Sequence, residues 1–215
     1  SNYIAELLCR LVFLELPQTP IDLPSQPPLF DTPDILIHVT TTRAAKLWPL
    51  NFWLQVLKWC HLHSFAVGLV GSPPKLQRDA YNAGDLEEVL LEKTNLQDLR
   101  GKTSLIQLAG ASKQAKAVVS VDAGPMHISA AVGTPTLAIV GNDNYGVGAS
   151  PIRLWMPRSP NCERTVSSVS CDACAVARFR NDHCLKEHHE CMNAVSPDQV
   201  IHWLERTLLV DPNSL

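Results

Sequence analysis

Apolar residues recur along the chain in two alternating patterns, which predict a series of strands and helices. Short apolar runs bounded by turn-forming residues are typical of strands that are buried on both faces of a parallel sheet. They lie at residues 35–39, 65–70, 118–121 and 136–140. Apolar positions at helical spacing predict helices at residues 49–61, 84–94, 105–115 and 126–132. This alternation predicts an α/β fold, a Rossmann-like doubly wound parallel sheet.

The two ends of the chain follow other patterns. An apolar stripe over residues 2–14 predicts a helix, and six prolines between Pro17 and Pro33 exclude regular structure after it. Ser196, Pro197 and Gln199 have the spacing of a capping box, which predicts a final helix. We therefore expect four parts. They are a helix with a proline-rich linker at 1–33, a Rossmann-like domain at 34–150, a cysteine-rich insertion at 151–195 that begins irregularly over 151–165, and a C-terminal helix at 196–215.

Composition narrows the class of protein. The 215 residues are 46% hydrophobic and 18% charged, as in an ordinary globular protein. A net charge of -3 gives no reason to expect nucleic acid as a partner. No apolar run reaches the ~18 residues of a membrane span, and no signal peptide opens the sequence. We expect a cytoplasmic protein, with peripheral association as its one mode of membrane contact.

The first candidate site follows the strand at 118–121. There Asp122, Ala123, Gly124 and Pro125 predict a tight turn with a positive φ at Gly124 and a helix that begins at Pro125. Ligands of open α/β sheets bind outside the carboxyl ends of the strands, where helix N-termini offer free N–H groups. Asp122 can accept hydrogen bonds from sugar hydroxyls and His127 can donate to an oxygen. A helix-capping aspartate and a solvated histidine remain the structural alternative.

A second candidate site follows the strand at 35–39. Lys46 can supply a point charge to a diphosphate, and Thr41 and Thr42 can supply hydroxyl donors. Because any surface loop can carry a solvated lysine, the residues alone leave both interpretations open.

Three motifs resemble those of glycosyltransferase family 9, the bacterial heptosyltransferases and their relatives. DAGPMHISAAVGTP at 122–135 resembles the signature D-S/T-G-x-x-H-x-x-A-A-x-x-x-P, with Ala123 where Ser or Thr is usual. HVTTTRAAKLWP at 38–49 is similar to H-x-T-T-R-x-x-K-x-W-P, with one more residue after His38. The segment 95–124 is similar to the family's segment n-l-x-G-x-t-s-l-x-e-l-a, which leads into the signature loop. The resemblance extends from about Ile35 to the end.

The resemblance implies the donor-binding half of a GT-B enzyme. Its ligand would be a nucleotide-diphosphate sugar, with ADP-heptose as the expected donor, and its acceptor a lipopolysaccharide or other glycan, or a protein. It implies displacement at the anomeric carbon with inversion, and no organic cofactor. The N-terminal GT-B half, with the general base, would lie outside these residues. Lys46 and Asp122 would be catalytic. The donor-binding residues would be Thr41, Thr42, Lys46, Thr103, Ser104, Leu105, Asp122, Ala123, Gly124, Pro125 and His127.

Two departures from the family pattern keep other functions open. Ala123 removes a hydroxyl, and Pro74, Lys75 and Leu76 occupy the region where relatives often carry a glutamate that binds the ribose. One alternative is a metal-stabilised binding or assembly module with a vestigial nucleotide pocket. The other is an enzyme similar to the nucleotide-sugar 2-epimerases, which share the GT-B architecture.

Five of the seven cysteines fall between Cys162 and Cys191. In a reducing compartment this density favours a metal over disulfides, and four thiolates suit tetrahedral zinc or iron. We predict a structural Zn or Fe site formed by Cys171, Cys174, Cys184 and Cys191. Structural thiols and disulfides are alternatives, and Cys162, His183, His188 and His189 are substitute ligands. The resemblance supports a metal, because an autotransporter-modifying branch of the family binds iron through a similar cluster.

Overall fold

The core of the protein is a six-stranded parallel sheet with the order β3-β2-β1-β4-β5-β6. The computed structural model describes residues 3–15, 23–75, 85–142, 152–169, 171, 173–175 and 183–209. The strands are β1 (Ile35–His38), β2 (Val67–Leu69), β3 (Gln97–Asp98), β4 (Ala117–Val121), β5 (Thr136–Val140) and β6 (Cys162–Val166).

Helices cover both faces of this sheet. They are α1 (Ile4–Leu11), α2 (Leu50–Leu62), α3 (Leu86–Lys93), α4 (Leu105–Gln114), α5 (Gly124–Ala131), α6 (Ile152–Trp155), α7 (Glu190–Asn193) and α8 (Pro197–Leu208), with 3₁₀ turns at Ala44–Lys46 and Ala173–Ala175. Ile35 and Ile37 pack with α2, α3 and α8, whereas Leu36 packs with α4 on the other face. Because β1 is buried on both faces, its first three residues are apolar, and His38 at its end is buried as well. The predicted doubly wound α/β fold is confirmed.

Two strands lie where no strand was predicted. The interpretation of 151–165 as irregular was wrong, because α6 and most of β6 lie there. β6 is an edge strand on which Glu163 and Arg164 are exposed and Thr165 is buried, and Glu163 accepts hydrogen bonds from Trp203 and Arg206 of α8. β3 is only two polar residues long. Neither strand has the apolar run by which a buried strand is recognised.

The turn after β4 also differs from the prediction. Gly124 is the first residue of α5 and Pro125 the second, while Ala123 has an extended conformation with φ -154° and ψ 172°. Among the described residues the glycines with positive φ are Gly101 and Gly133. The backbone turns here without left-handed geometry. A Cβ at Gly124 would meet no atom within 4 Å, so the position faces open space and the surrounding protein does not require a glycine there.

The described part of the proline-rich linker, residues 23–33, forms no helix or strand, as predicted. It lies along α4, where the Gln26 N–H donates to the Ile106 carbonyl at 2.9 Å and Phe30 packs against the second face of the core. Gly110 permits this approach, because a Cβ there would lie 1.8 Å from the Gln26 carbonyl oxygen. The linker therefore belongs to the packed structure.

No helix in the described ranges is long and apolar enough to cross a membrane.

Candidate functional site

The candidate site lies where the strand order of the sheet reverses. From β1 the chain proceeds to β2 and β3 on one side, and from β4 to β5 and β6 on the other. A crevice outside the carboxyl ends at such a point is where open α/β sheets bind ligands. Lys46 follows β1 and Asp122 follows β4, so both predicted catalytic residues lie at this crevice.

Lys46 and Asp122 form an ion pair across the reversal point. The Lys46 Nζ lies 2.9 Å from Asp122 Oδ2, and the two side chains are 19% and 10% exposed. Two loops distant in sequence are thereby joined at the end of the sheet. The pair is largely shielded from water, so its charges interact more strongly than an exposed pair would.

The N-terminus of α5 lies beside this pair. In the described structure its N-cap Ala123 makes no side-chain hydrogen bond, so Asp122 does not act as the cap. The first N–H groups of a helix lack intrahelical partners and favour an anion. His127 lies one turn further, where burial lowers its pKa, with Asp122 opposing that shift and Lys46 adding to it. A neutral imidazole can both donate and accept hydrogen bonds.

The other predicted donor ligands lie along the same edge of the sheet. Thr41 is buried and its Oγ1 accepts from the Arg43 N–H at 3.5 Å, whereas Thr42 is exposed. After β3, Thr103 is half-buried, Ser104 caps α4 in a capping box with Gln107, and Leu105 is exposed. β3 is two strands from β1, a separation of roughly 10 Å.

The described residues that line the crevice around Lys46 and Asp122 do not include Thr41, Thr42 or residues 103–105. The structure therefore places these predicted ligands at one edge without bringing them into a single cavity.

The four predicted metal ligands line this same crevice. Cys171, Cys174, Cys184 and Cys191 are among the residues that line this crevice, whose volume of about 30 Å³ is enough for an ion or a water molecule. Burial, with the three neighbouring cysteines, raises the pKa of Cys191 to about 11. The seven cysteines, all of them among the described residues, carry thiols rather than disulfides.

Whether these cysteines suit a metal depends on their chemistry and their arrangement. Among the described residues no group of three or more His, Cys, Asp and Glu side chains is assembled to hold a metal ion. The four cysteines are nevertheless of a kind that binds metal, since all of them line one crevice and the other three raise the cost of ionising Cys191. A bound cation would remove that cost, because metal ligation deprotonates thiols.

Two contacts at this crevice were not predicted from the sequence. The ring Nε2 of His189 lies 2.8 Å from the carbonyl oxygen of Ala45, across 144 residues of sequence. Gly141, at the end of β5, lets α7 approach closely, because a Cβ there would lie 2.6 Å from Met192 Sδ and 2.9 Å from Cys191 Sγ. No spacing rule indicates contacts between such distant segments.

A buried charge cluster supports the edge near β3. Arg100 donates to Asp98, Glu87 and Glu88, with its own side chain 5% exposed. Hydrogen bonding to Arg100 lowers the pKa of Asp98, whereas burial raises that of Glu87. The cluster fixes α3 against the end of β3, just before residues 103–105.

Comparison with known proteins identifies the family. Residues 13–183 match the model of glycosyltransferase family 9 (heptosyltransferase), which covers most of the chain. The chain therefore belongs to glycosyltransferase family 9.

Individual relatives agree with this assignment. The lipopolysaccharide core heptosyltransferase OpsX of Haemophilus influenzae is 28% identical over 116 residues, which are 54% of this chain and 32% of that protein. The E. coli ADP-heptose LPS heptosyltransferase II has a similar fold, with a TM-score of 0.58 and 19% identity over 95% of this chain and 51% of that one.

A second similar structure is the iron-containing dodecameric glycosyltransferase TibC of enterotoxigenic E. coli. Its TM-score is 0.66, with 17% identity over 91% of this chain and 50% of that one. TibC is also known in complex with ADP-D-β-D-heptose. The chain spans between a third and a half of the length of these three proteins.

Proposed function

We propose that this chain is the donor-binding half of a heptosyltransferase-like glycosyltransferase and that it binds ADP-heptose. The observation that carries the proposal is the Lys46–Asp122 pair, 2.9 Å apart, at the reversal point of the sheet and beside the open N-terminus of α5. These groups offer a cation and the positive end of the α5 dipole to a diphosphate, and a carboxylate to sugar hydroxyls. Family membership and the ADP-heptose bound to TibC support this choice of donor.

The proposed reaction is displacement at the anomeric carbon with inversion. An acceptor hydroxyl oxygen forms the new bond to that carbon as the bond to the diphosphate oxygen breaks, and ADP leaves with the electron pair. Lys46 and the N-terminus of α5 would stabilise the charge that develops on ADP, and Asp122 would position the sugar. The hydroxyl proton would pass to a base in an N-terminal half outside these residues, where a lipopolysaccharide or protein acceptor would also bind.

We further propose the division into 1–33, 34–150, 151–195 and 196–215, with donor binding assigned to 34–150. β6 adds the edge of the sheet from within the third part.

Isothermal titration of the purified chain with ADP, UDP and GDP tests donor binding. We expect ADP to bind selectively and Lys46→Ala to weaken ADP binding about tenfold or more, because a charged hydrogen bond to phosphate is lost. Asp122→Asn should not weaken ADP binding, because it removes a carboxylate that competes for Lys46, but it should weaken the additional gain from ADP-heptose.

Lys58→Ala is the matched control, since Lys58 lines a groove at the amino ends of β2 and β3 and should not affect nucleotide binding. Thermal melts establish that each variant is folded. Absence of binding by any nucleotide, or equal affinity of Lys46→Ala and the original chain, would count against the proposal.

We also propose that Cys171, Cys174, Cys184 and Cys191 hold one structural iron or zinc ion. The four thiols that line one crevice support this assignment, and the iron in TibC favours iron. Elemental analysis should find one ion per chain, which Cys174→Ser removes and Cys60→Ser, at a buried cysteine of α2, retains. A purified chain without metal, after expression in iron- and zinc-supplemented medium, would refute the site.

A further inference from the structure

The segment that contains Cys191 contacts the Lys46 loop at two points. The carbonyl of Ala45 lies 2.8 Å from His189 Nε2, and the indole N–H of Trp48 donates to the carbonyl of Val195 at 2.9 Å. Ala45 and Trp48 are 4% and 0% exposed. Both contacts on the cysteine side come from residues 189–195, the tether segment, which includes α7.

The His189 contact has a defined chemistry. A carbonyl oxygen only accepts, so Nε2 must hold the hydrogen and donate it to Ala45. Ala45 directly precedes Lys46 within the 3₁₀ turn, which is closed by bonds from the Lys46 N–H to Arg43 and from the Leu47 N–H to Ala44, each 3.0 Å. Holding the Ala45 carbonyl therefore fixes the backbone from which the Lys46 side chain extends.

The tether segment is itself firmly seated on the sheet. Met192 is 2% exposed and packs with Cys191 over Gly141, where there is no room for a Cβ. His189 therefore donates from a part of the molecule whose position is set by β5. A hydrogen-bond donor on a rigid segment restrains its acceptor more than a donor on a mobile surface residue does.

We propose that His189 is a positioning residue that holds the Lys46 loop in the geometry that binds the diphosphate. The proposal rests on the proposed function, because it assumes that Lys46 binds this group. If the proposal holds, a change in the position of the cysteine-rich segment alters nucleotide affinity through the hydrogen bond from His189 to Ala45.

The test compares ADP affinity, by isothermal titration, among variants of the full chain. His189→Ala should weaken ADP binding roughly five- to thirtyfold, the effect of losing one shielded hydrogen bond. His189→Gln should restore most of the affinity, because its amide places a donor near the former Nε2. In a Lys46→Ala background the effect of His189→Ala should disappear, since the two residues act in series.

His202→Ala, at a histidine of α8 whose side chain is 78% exposed, is the matched control and should retain ADP affinity. Metal content is measured for every variant. Unchanged ADP affinity of His189→Ala overturns the proposal. So does a finding that His189→Ala lowers ADP affinity by the same factor with and without Lys46→Ala. If His189→Ala and His189→Gln both lose the metal, His189 is a metal ligand, and the positioning proposal is also overturned.

Hydrogen exchange separates this proposal from the proposed function. The amides of Lys46 and Leu47 close the turn, so His189→Ala should speed their exchange severalfold without nucleotide, and His189→Gln should not. If the original chain binds no ADP, the proposed function fails, while the exchange rates still decide whether His189 holds the loop. Unchanged exchange in His189→Ala contradicts the positioning role whatever the titrations give.

Discussion

At the residue scale, His38 joins the ends of two strands in the centre of the sheet. Its side chain is 4% exposed at the carboxyl end of β1, and its Nδ1 lies 2.8 Å from the carbonyl of Val70, so this nitrogen donates. Burial is the main cause of a pKa lowered below 6.5, with hydrogen bonds to Val70 and Thr40 opposing it. The folded protein therefore keeps this histidine neutral.

This lowered pKa predicts that the protein loses stability in mild acid. In the unfolded chain His38 takes up a proton near pH 6.5, whereas the folded protein does so only at lower pH. Between these two values the unfolded state binds more protons, so the free energy of unfolding falls as pH falls, by up to about 1.4 kcal/mol per pH unit for one group. Urea denaturation at pH 7 and pH 5 measures this difference.

His38→Asn provides the test, because its amide retains a donor near Nδ1 but does not titrate. We expect a smaller loss of stability between pH 7 and 5 than in the original chain. Part of the loss of stability should persist in this variant, because burial also lowers the pKa values of His127 and His189. His202→Asn, at a 78% exposed side chain, is the control and should not alter the slope. An identical slope for His38→Asn would contradict the assignment.

At this scale the sequence supplied the partners but not their contacts. Lys46 and Asp122 were each predicted from the carboxyl end of a strand and from the family motif, yet their ion pair depends on β1 and β4 being neighbours. His189 was considered only as a substitute metal ligand. Its hydrogen bond to Ala45 depends on how residues 183–195 fold over the sheet, which local spacing does not encode.

At the element scale, the packing of the linker on α4 is the least expected feature. Prolines explain why residues 23–33 form no helix or strand, but not why they are held in place. Gly110 explains why the linker is held in place, because the missing side chain lets Gln26 contact the backbone of α4. Helix propensity alone would favour alanine at this position by about 1 kcal/mol.

Gly110→Ala should therefore destabilise the protein despite improving the helix. Its Cβ would lie 1.8 Å from the Gln26 oxygen and 2.6 Å from the Gln26 carbonyl carbon, so the linker must move and the bond from Gln26 to Ile106 is lost. We expect the free energy of unfolding to fall by about 1–3 kcal/mol. Urea denaturation gives the value, and limited proteolysis should cut the linker faster.

The control for this prediction is Lys113→Ala on the exposed face of the same helix, which should be neutral or slightly stabilising. A Gly110→Ala variant more stable than the original chain would show that the linker adapts without cost.

The elements differed in how well the sequence predicted them. Apolar strands and the capping boxes of α4 and α8 were found because each has a local signal. β3 and β6 lack that signal, being short or at the edge of the sheet, and they form only because β2 and β5 offer pairing partners.

At the scale of the whole molecule, the cysteine-rich segment lies at the same edge of the sheet as the loops that carry Lys46 and Asp122. The sequence predicted a doubly wound sheet and a cysteine cluster as separate parts. In the structure both line the same crevice at the reversal point of the strand order. This adjacency is a property of the tertiary fold, because cysteines 171–191 reach the Lys46 loop only after the chain has completed β6.

The Lys46–Asp122 ion pair also has a consequence for selectivity. Since Lys46 already has a carboxylate partner, an incoming anion must compete with a neighbour that is held in place by β4. Chloride and other weak monovalent anions would lose this competition, whereas a diphosphate, with higher charge and several acceptor oxygens, can prevail. Asp122 would thereby keep weakly binding monovalent anions from occupying Lys46.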